Sequence, residues 1–231
     1  MAAALAARLA EEARDLYRMG LTSSSGGNLS HRESDGFLVS ATNTAFSRQR
    51  PEEFAECDLQ GGRVNGPAPS KEAAFHAAIY RARPEVQAVL HLHAPDSLAL
   101  SCLAAPTEGG NVLPVHSSYA VTRVGRVPLL PYLPPGAPVL AEAVGRTCRD
   151  VNALLLQNHG VITWGRGLEE ARDILEELEQ NVRVWLASHG QARVLSDEEL
   201  TEANARAGHG ARIRPGEQRP RLLPDVRGWQ A

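Results

Sequence analysis

Residues 86–93, with the sequence VQAVLHLH, indicate a buried β-strand that ends in two histidines. Apolar residues dominate the run, as in a strand that is covered on both faces. Because side chains at positions i and i+2 lie on the same face of a strand, His91 and His93 place their imidazoles side by side. Ala94-Pro95 then predicts the start of a helix that runs to about residue 103. The strand therefore offers two converging nitrogen ligands.

A catalytic zinc ion takes about three protein ligands, so a third donor is needed. His159 is the best candidate, because it ends another apolar strand within residues 154–163 and is followed by Gly160, which permits a close approach. Glu72 lies just after Ser70, the expected N-cap of a helix over about residues 71–83. The positive end of that helix favours a carboxylate, so Glu72 is a candidate ligand, base, or both in turn.

The same residues have simpler interpretations. His-x-His alone is a weak motif, and two half-exposed strand histidines with ordinary hydrogen bonds would also produce it. Glu72 alone is a typical acidic residue of a first helical turn. His76, on the same helix face four residues later, is expected to be structural or to support a ligand. The remaining histidines carry no spacing signal and are assigned to solvent or packing: His31, His116, His189 and His209.

The surrounding elements predict one α/β domain over residues 1–190, followed by a polar C-terminal tail over residues 191–231. Residues 1–19 form an amphipathic helix, and 29–32 with 37–40 form a hairpin. A long amphipathic helix covers residues 168–186. After residue 190, Arg, Gly, Pro and Glu dominate, so we expect the tail to be loosely packed.

Composition excludes several classes of protein. The chain has 231 residues, of which 43% are hydrophobic, enough to fill a core. Its 24 Lys and Arg against 27 Asp and Glu give a net charge of −3, so there is no global positive field for nucleic acid or anionic lipid. No uncharged segment is long enough to span a membrane. Three distant cysteines indicate neither a disulfide framework nor a thiolate metal site, and we expect a cytoplasmic protein.

Taken in order, six landmarks resemble those of the class II aldolase/adducin family. They are GNLS at 27–30, SATN at 40–43, PSKE at 69–72, HLH at 91–93, Tyr119, and NHG at 158–160. The resemblance covers about residues 5–188, and the ordered set is specific where each piece is not. Within the family, the Ser-Lys-Glu helix start most resembles that of the 3-oxo-tetronate 4-phosphate decarboxylases.

The resemblance implies a three-layer α/β/α fold around a mostly antiparallel sheet, assembled as a homotetramer with active sites at the interfaces. It implies that His91, His93 and His159 bind zinc, or manganese or cobalt in its place. Glu72 would move protons and would touch the metal when substrate is absent. Tyr119 falls where fuculose-phosphate-type aldolases place a proton-donating tyrosine that reaches a neighbouring subunit. The positions that correspond to substrate phosphate binding are Asn28, Thr42, Asn43, Ser70 and Lys71.

Two of these positions depart from the aldolase pattern. Asn43 replaces a glycine, and its side chain occupies space that a phosphate would otherwise reach, although Asn tolerates positive φ. Lys71 replaces a serine and adds a cation, which would hold a phosphate or a carboxylate as a point charge. A solvated first-turn lysine is the alternative. Since a cation is unfavourable at a helix N-terminus, we favour a functional role for Lys71.

These residues predict a metal-dependent lyase of carbohydrate metabolism. It would decarboxylate 3-oxo-tetronate 4-phosphate to dihydroxyacetone phosphate and CO₂, through an enediolate whose charge a chelated divalent ion stabilises. Lys71 favours a substrate that carries a carboxylate. The alternatives are a sugar-phosphate aldolase or a 4-epimerase, which would use the same metal and base. A non-catalytic adducin-like interaction module is a third reading.

Overall fold

The computed structural model describes residues 2–208 and 211–224; His209 and the last residues of the tail lie outside the described residues. The helices are α1 (Ala2–Arg18), α2 (Ala73–Ala82), α3 (Pro95–Leu103), α4 (Pro138–Thr147), α5 (Leu168–Ala187) and α6 (Asp197–Arg206). The strands are β1 (Gly27–Arg32), β2 (Gly36–Ser40), β3 (Phe54–Asp58), β4 (Arg63–Asn65), β5 (Ala88–Leu92), β6 (Leu129–Leu130), β7 (Ala153–Leu156) and β8 (Gly160–Gly165). The predicted strand around residues 86–93, the first hairpin and the long helix are thus confirmed.

The described strands form a single eight-stranded sheet in the order β4-β3-β2-β1-β5-β8-β7-β6. Neighbouring strands are antiparallel, except for the parallel pair β6 and β7. The strand that contains His91 and ends just before His93, β5, lies in the middle of the sheet between β1 and β8. Because both of its edges are paired, the end of β5 has a fixed position.

Helices cover the sheet on both faces, which confirms the three-layer prediction. One hydrophobic cluster joins the sheet to α1, α3, α5 and α6, and a separate cluster joins it to α2 and α4. Along β5, the side chain of Leu90 belongs to the first cluster and that of Val89 to the second. This alternation is the period of a strand buried on both sides, and it explains the nearly continuous apolar run in the sequence.

The start of α2 differs from the expectation. Ser70 is not the N-cap; the helix begins at Ala73 and Glu72 occupies the cap position without a side-chain capping bond. Ser70 instead forms a tight turn, in which its Oγ accepts from the Glu72 N–H at 3.2 Å and its carbonyl accepts from the Ala73 N–H at 3.1 Å. Glu72 has φ −100° and ψ 5°, a sparsely populated region in which active-site residues are often found. The turn therefore leaves the carboxylate free to contact other elements.

The expectation of a loosely packed tail is wrong for the described residues. Ser196 caps α6 in a capping box with Glu199, and Leu200 on that helix is fully buried. Ile213 is also buried, and Asn204 donates to its carbonyl at 2.7 Å. A few apolar residues at helical spacing were sufficient to bury this segment, although its composition is strongly polar.

Candidate metal centre and catalytic cavity

Three histidines converge at the end of β5. His91 is the fourth residue of that strand, and His93 follows its last residue. His159 reaches them from the turn between β7 and β8, and its ring centroid lies 4.8 Å from that of His91 and 5.1 Å from that of His93. One ring nitrogen from each histidine can be chosen so that all three lie within 4.8 Å of one another. The predicted juxtaposition of two distant stretches of chain is therefore present.

The turn that carries His159 can approach β5 because Gly160 has no side chain. A Cβ at that position would lie 2.4 Å from the carbonyl oxygen of Leu92 and 3.2 Å from Cδ2 of His93. Asn158, the residue before His159, has a φ of +55°, a value that asparagine tolerates better than most residues. The Asn-His-Gly sequence thus allows the turn to lie close to the end of β5.

Glu72 completes the group from the N-terminus of α2. Its Oε2 lies 3.3 Å from Nε2 of His91, and its Oε1 lies 3.3 Å from Nε2 of His159. Asn28, on β1, donates from its side-chain amide to Oε2 at 2.9 Å. Glu72 is only 7% exposed and Asn28 4%. The carboxylate is therefore enclosed and held on one side by an amide, with imidazoles on the other side.

The protonation states favour a cation between these groups. Burial lowers the pKa of His91 to about 4, so the ring is neutral near pH 7. Its Nδ1–H donates to the carbonyl of Val161 at 3.0 Å, which leaves a lone pair on Nε2. Burial alone would raise the pKa of Glu72, but the net shift is downward, and the hydrogen bond donated by the Asn28 amide favours the ionised form whatever the charge of the imidazoles. A lone pair thus faces an ionised carboxylate.

Buried atoms without hydrogen-bond partners mark the same place. Within the described residues these include Glu72 Oε1, His91 Nε2 and His159 Nδ1. Buried polar atoms are rarely left unpaired, because losing their hydration without a replacement is unfavourable. Three imidazoles with a neighbouring carboxylate are ligands that suit zinc and related divalent ions. The residues present therefore fit a divalent metal ion.

A cavity of about 480 Å³ opens beside the metal-ligand candidates. All five positions predicted to bind substrate line it, namely Asn28, Thr42, Asn43, Ser70 and Lys71, together with Glu72, His93 and His159. Asn43 has a φ of +59°, so the backbone keeps the left-handed conformation that glycine would adopt there. Further polar residues that the sequence analysis did not select also line the cavity: Ser25, Thr44, Tyr132 and Asn158.

Lys71 is the only cationic side chain of permanent charge among the described residues that line this cavity. It is exposed, and none of the hydrogen bonds or ion pairs within residues 2–208 and 211–224 engages its ammonium group. The loop at Gly136 packs against it, because a Cβ on Gly136 would lie 3.2 Å from the Lys71 Cβ. The same loop brings Tyr132 and Pro135 to the cavity wall. An unpaired cation is thus held at the edge of a polar cavity.

Tyr119 does not line this cavity. Its side chain is 58% exposed, directly before a π-helical turn over Ala120–Val124, and the Arg123 guanidinium lies 5.6 Å from its ring centroid. An exposed tyrosine away from the site in its own chain is compatible with the expectation that it serves a neighbouring subunit.

A larger cavity, of about 570 Å³, lies at the opposite end of β5 and β8. Its arginines are paired with acidic residues, as in the contacts of Arg83 with Glu85 at 2.5 Å and of Arg166 with Glu170 at 3.1 Å. It contains none of the converging histidines. The converging histidines and Glu72 lie at the smaller cavity instead.

No helix of the described part of the chain has the length and apolar character needed to cross a membrane. The cysteines of this part, Cys57, Cys102 and Cys148, are free thiols.

The chain is similar in sequence to known lyases over most of its length. The chain is 37% identical over 195 residues to a 3-oxo-tetronate 4-phosphate decarboxylase from Haemophilus influenzae, which covers 84% of this chain and 92% of that protein. It is 32% identical over 199 residues to an L-fuculose phosphate aldolase from Escherichia coli, covering 85% of this chain and 90% of the relative. Both relatives are lyases by name, so the prediction of a lyase family is confirmed.

Solved structures give the same result. YgbL from Escherichia coli matches with a TM-score of 0.80 and 31% identity, covering 88% of this chain and 99% of that one. The model of the class II aldolase and adducin N-terminal domain matches residues 7–186. The ordered landmarks of the sequence, the converging histidines and these matches together show that the chain belongs to the class II aldolase/adducin family.

Proposed function

We propose that the protein is a metal-dependent carboxy-lyase that converts 3-oxo-tetronate 4-phosphate to dihydroxyacetone phosphate and CO₂. The observation that carries this proposal is an unpaired Lys71 at the edge of the cavity that also contains the buried Glu72 and the histidines. The decarboxylase relative supports it through its similarity to most of the chain. We expect the protein to act in the cytoplasm as a homotetramer in carbohydrate metabolism.

We propose that His91, His93 and His159 hold the metal ion, with zinc favoured and manganese or cobalt as alternatives. A divalent ion, when bound there, supplies Lewis-acid stabilisation of negative charge on substrate oxygens. The Nδ1–H of His91 is fixed by the Val161 carbonyl, so its other nitrogen is permanently directed toward the centre. Glu72, held by Asn28, is oriented toward the same point.

In the proposed reaction, the bond between the carboxyl carbon and C2 of the substrate breaks, and its electron pair stays on C2. CO₂ leaves, and a proton added to C2 gives the product. We assign Glu72 to proton movement because its carboxylate is buried and accessible from the cavity. Tyr119 of a neighbouring subunit is the second proposed proton donor. Water is the final source of this proton.

We assign substrate binding to the polar rim of the cavity. Lys71 would pair with the substrate carboxylate or phosphate, and the hydroxyls of Thr42 and Ser70 would donate to the phosphate oxygens. Asn43 would contact the substrate through its side chain. At Asn28 the amide oxygen accepts from His76, and one of the two amide N–H groups donates to Glu72. The second N–H of the Asn28 amide is the group that would donate to the substrate.

An aldolase is the second candidate function, because the chain is also similar to an L-fuculose phosphate aldolase over most of its length. An aldolase would use the same metal and base but would release an aldehyde in place of CO₂. The substrate's carboxylate therefore distinguishes the two reactions. Lys71 favours the decarboxylase.

The deciding experiment measures CO₂ release from 3-oxo-tetronate 4-phosphate, with and without a chelator, beside condensation of aldehydes with dihydroxyacetone phosphate. We expect chelator-sensitive CO₂ release that falls in a Lys71→Met variant, mainly through a higher KM. Arg48→Met serves as the matched control, since Arg48 is an exposed cation that does not line the cavity. Condensation without CO₂ release would establish the aldolase instead.

A further inference from the structure

A strand and a helix face each other with matching spacings behind Glu72. On β1, Asn28 and Ser30 are two residues apart and share a face of the sheet. On α2 and its cap, Glu72, His76 and Tyr80 are four residues apart and share a face of the helix. Two strand residues span about 6.7 Å and four helical residues about 6.0 Å, so the polar side chains are spaced almost equally along β1 and along α2. Polar side chains therefore alternate between the two elements.

The alternating side chains form a continuous series of hydrogen bonds. Tyr80 OH lies 2.7 Å from Ser30 Oγ, which lies 2.7 Å from Nδ1 of His76. Nε2 of His76 lies 2.5 Å from Oδ1 of Asn28, whose amide nitrogen lies 2.9 Å from Glu72 Oε2. The three distal members, Ser30, His76 and Tyr80, are at most 1% exposed, and none of them lines the catalytic cavity.

The carboxylate at one end and a neutral His76 ring together fix the direction of the bonds in the series. An ionised Glu72 only accepts, so the Asn28 amide must present its NH₂ group to Glu72 and its oxygen to His76. His76 must then donate from Nε2. If the ring is neutral, its Nδ1 accepts from the Ser30 hydroxyl, and the Ser30 oxygen accepts from Tyr80 in turn. The hydroxyl groups thus donate in the direction from Tyr80 through Ser30 to His76. The N–H groups of His76 and Asn28 continue in the same direction to Glu72.

Burial supports the neutral state that this assignment needs. The pKa of His76 is lowered to about 3 by burial, with the neighbouring His91 acting in the same direction. Burial also raises the pKa of Tyr80, so its hydroxyl keeps its proton. The His76 tautomer is then the one with the proton on Nε2.

We propose that Tyr80, Ser30 and His76 are positioning residues that set the orientation of the Asn28 amide and, through it, of the Glu72 carboxylate. Without a donor at His76 Nε2, the Asn28 amide can rotate by half a turn and present its oxygen to Glu72, which repels the carboxylate. This inference rests on the proposed function only in treating Glu72 as the group that moves the proton. The hydrogen-bonded series itself is a property of the folded protein.

The first test is independent of any reaction. In protein labelled with ¹⁵N-histidine, the ring nitrogens of His76 are observed by NMR near pH 7 and assigned by their loss in a His76→Gln variant. We expect a neutral ring with the proton on Nε2. A proton on Nδ1, or an imidazolium ion, would overturn the proposed direction. Absence of CO₂ release would refute the proposed function but would leave this measurement unaffected.

The second test compares variants of the full-length, metal-loaded protein. His76→Gln keeps one donor and one acceptor at a spacing similar to that of the ring nitrogens, whereas His76→Leu keeps neither. We expect His76→Leu and Ser30→Ala to lower kcat about 10- to 100-fold with little change in KM, and His76→Gln to recover most of that loss. Thr163→Val is the matched control, because it removes a buried hydroxyl that bonds to the Ala171 carbonyl at 2.9 Å, away from Glu72.

Two results of the second test would overturn the proposal. One is unchanged kcat in both Ser30→Ala and His76→Leu. The other is an equal loss of kcat in the Gln and Leu variants, which would indicate that His76 contributes only to stability. The free energy of unfolding of each variant is measured in urea. Thr163→Val shows how much kcat changes when a buried hydroxyl away from Glu72 is lost and the protein is destabilised. If His76→Leu does not fold, Ser30→Ala and the NMR experiment still decide the question.

Discussion

Asn28 and His91 lie directly opposite each other in the antiparallel ladder between β1 and β5. From this register, Asn28 donates to Glu72 Oε2 at 2.9 Å, and the same oxygen lies 3.3 Å from Nε2 of His91, whose lone pair faces it. An oxygen and a lone pair at this distance repel each other unless a cation lies close to both. The pairing of two central strands thus fixes where a metal ion would be bound.

Removing one histidine should abolish metal binding. We expect purified His91→Ala to contain no stoichiometric zinc by elemental analysis. In the wild type, zinc at 100 times its Kd should raise the free energy of unfolding by about 2.7 kcal/mol, because the ion binds only the folded state. His31→Ala is the control, since the His31 side chain hydrogen-bonds to the Arg32 carbonyl and does not line the cavity. Equal zinc content in both variants would contradict the assignment.

Replacing Glu72 should separate catalysis from metal binding. Glu72→Gln keeps the shape of the side chain, but the amide of glutamine does not accept and release a proton near neutral pH. We therefore expect kcat to fall about 10²- to 10⁴-fold. The three histidines remain, and we expect the zinc content to stay above half of the wild-type value. Steady-state CO₂ release and elemental analysis of the same sample provide the two readouts. A variant with wild-type kcat would remove Glu72 from the mechanism.

Asn43 should show the effect of its backbone conformation. Because its φ is +59° and its side chain is exposed, Asn43→Ala should destabilise the protein by about 1 kcal/mol, while Asn43→Gly should change stability by less than about 0.5 kcal/mol. Urea unfolding of the two variants measures the difference. Equal stability of the Ala and Gly variants would count against a strained turn at this position.

Stability should fall at acid pH, and His76 should contribute to the fall. Its pKa is about 3 in the folded protein, because of burial, against about 6.5 in the unfolded chain. Between these values the unfolded chain binds the extra proton, so the contribution is complete above pH 6.5 and decreases as the pH falls toward 3. Each unit of pKa difference corresponds to about 1.4 kcal/mol.

The His76→Gln variant tests this dependence, because glutamine does not titrate. Its free energy of unfolding, measured in urea between about pH 7 and pH 4, should decrease less steeply than that of the wild type. Metal-free protein is used for both, so that loss of the ion does not enter. Parallel curves would show that His76 keeps its ordinary pKa in the folded state.

The proposed role of Tyr119 predicts complementation between subunits. Glu72→Gln and Tyr119→Phe should each be poorly active alone. If Tyr119 serves a neighbouring subunit, a mixed tetramer contains sites with both an intact Glu72 and an intact Tyr119. Co-refolding the two variants should therefore restore CO₂ release above the level of either one. No gain from a mixture shown to contain mixed tetramers would mean that Tyr119 acts within its own chain or not at all.

The sequence predicted the convergence of His91, His93 and His159 because its signals are local. The spacing of His91 and His93 is a strand period, and the break at His159 is marked by Gly160, so each element could be recognised without its partners. The three-layer fold followed from the resemblance. The position of Glu72 at the helix cap, rather than inside the first turn, depended on the Ser70 turn and was not predicted.

Other features depend on contacts between distant elements. Ser30 and Tyr80 were not selected, because nothing near either residue indicates which side chain it will face. If β1 and α2 had been assumed to be adjacent, their spacings would have suggested that polar side chains on the two elements face each other. The residues concerned are Asn28 and Ser30 on the strand and Glu72, His76 and Tyr80 on the helix and its cap. Tyr132 was missed for a similar reason, since only the packing of its loop against Lys71 brings it to the cavity.

The donors around the centre are drawn from well-separated parts of the chain, with His159 the last to be synthesised. A nascent chain that has emerged only as far as β5 has the His91 and His93 pair but lacks the third imidazole. In the proposed site, tight capture of an ion would then wait until the hairpin of β7 and β8 closes against β5. If zinc is the ion that this site binds, the time course of its uptake would report the late steps of folding.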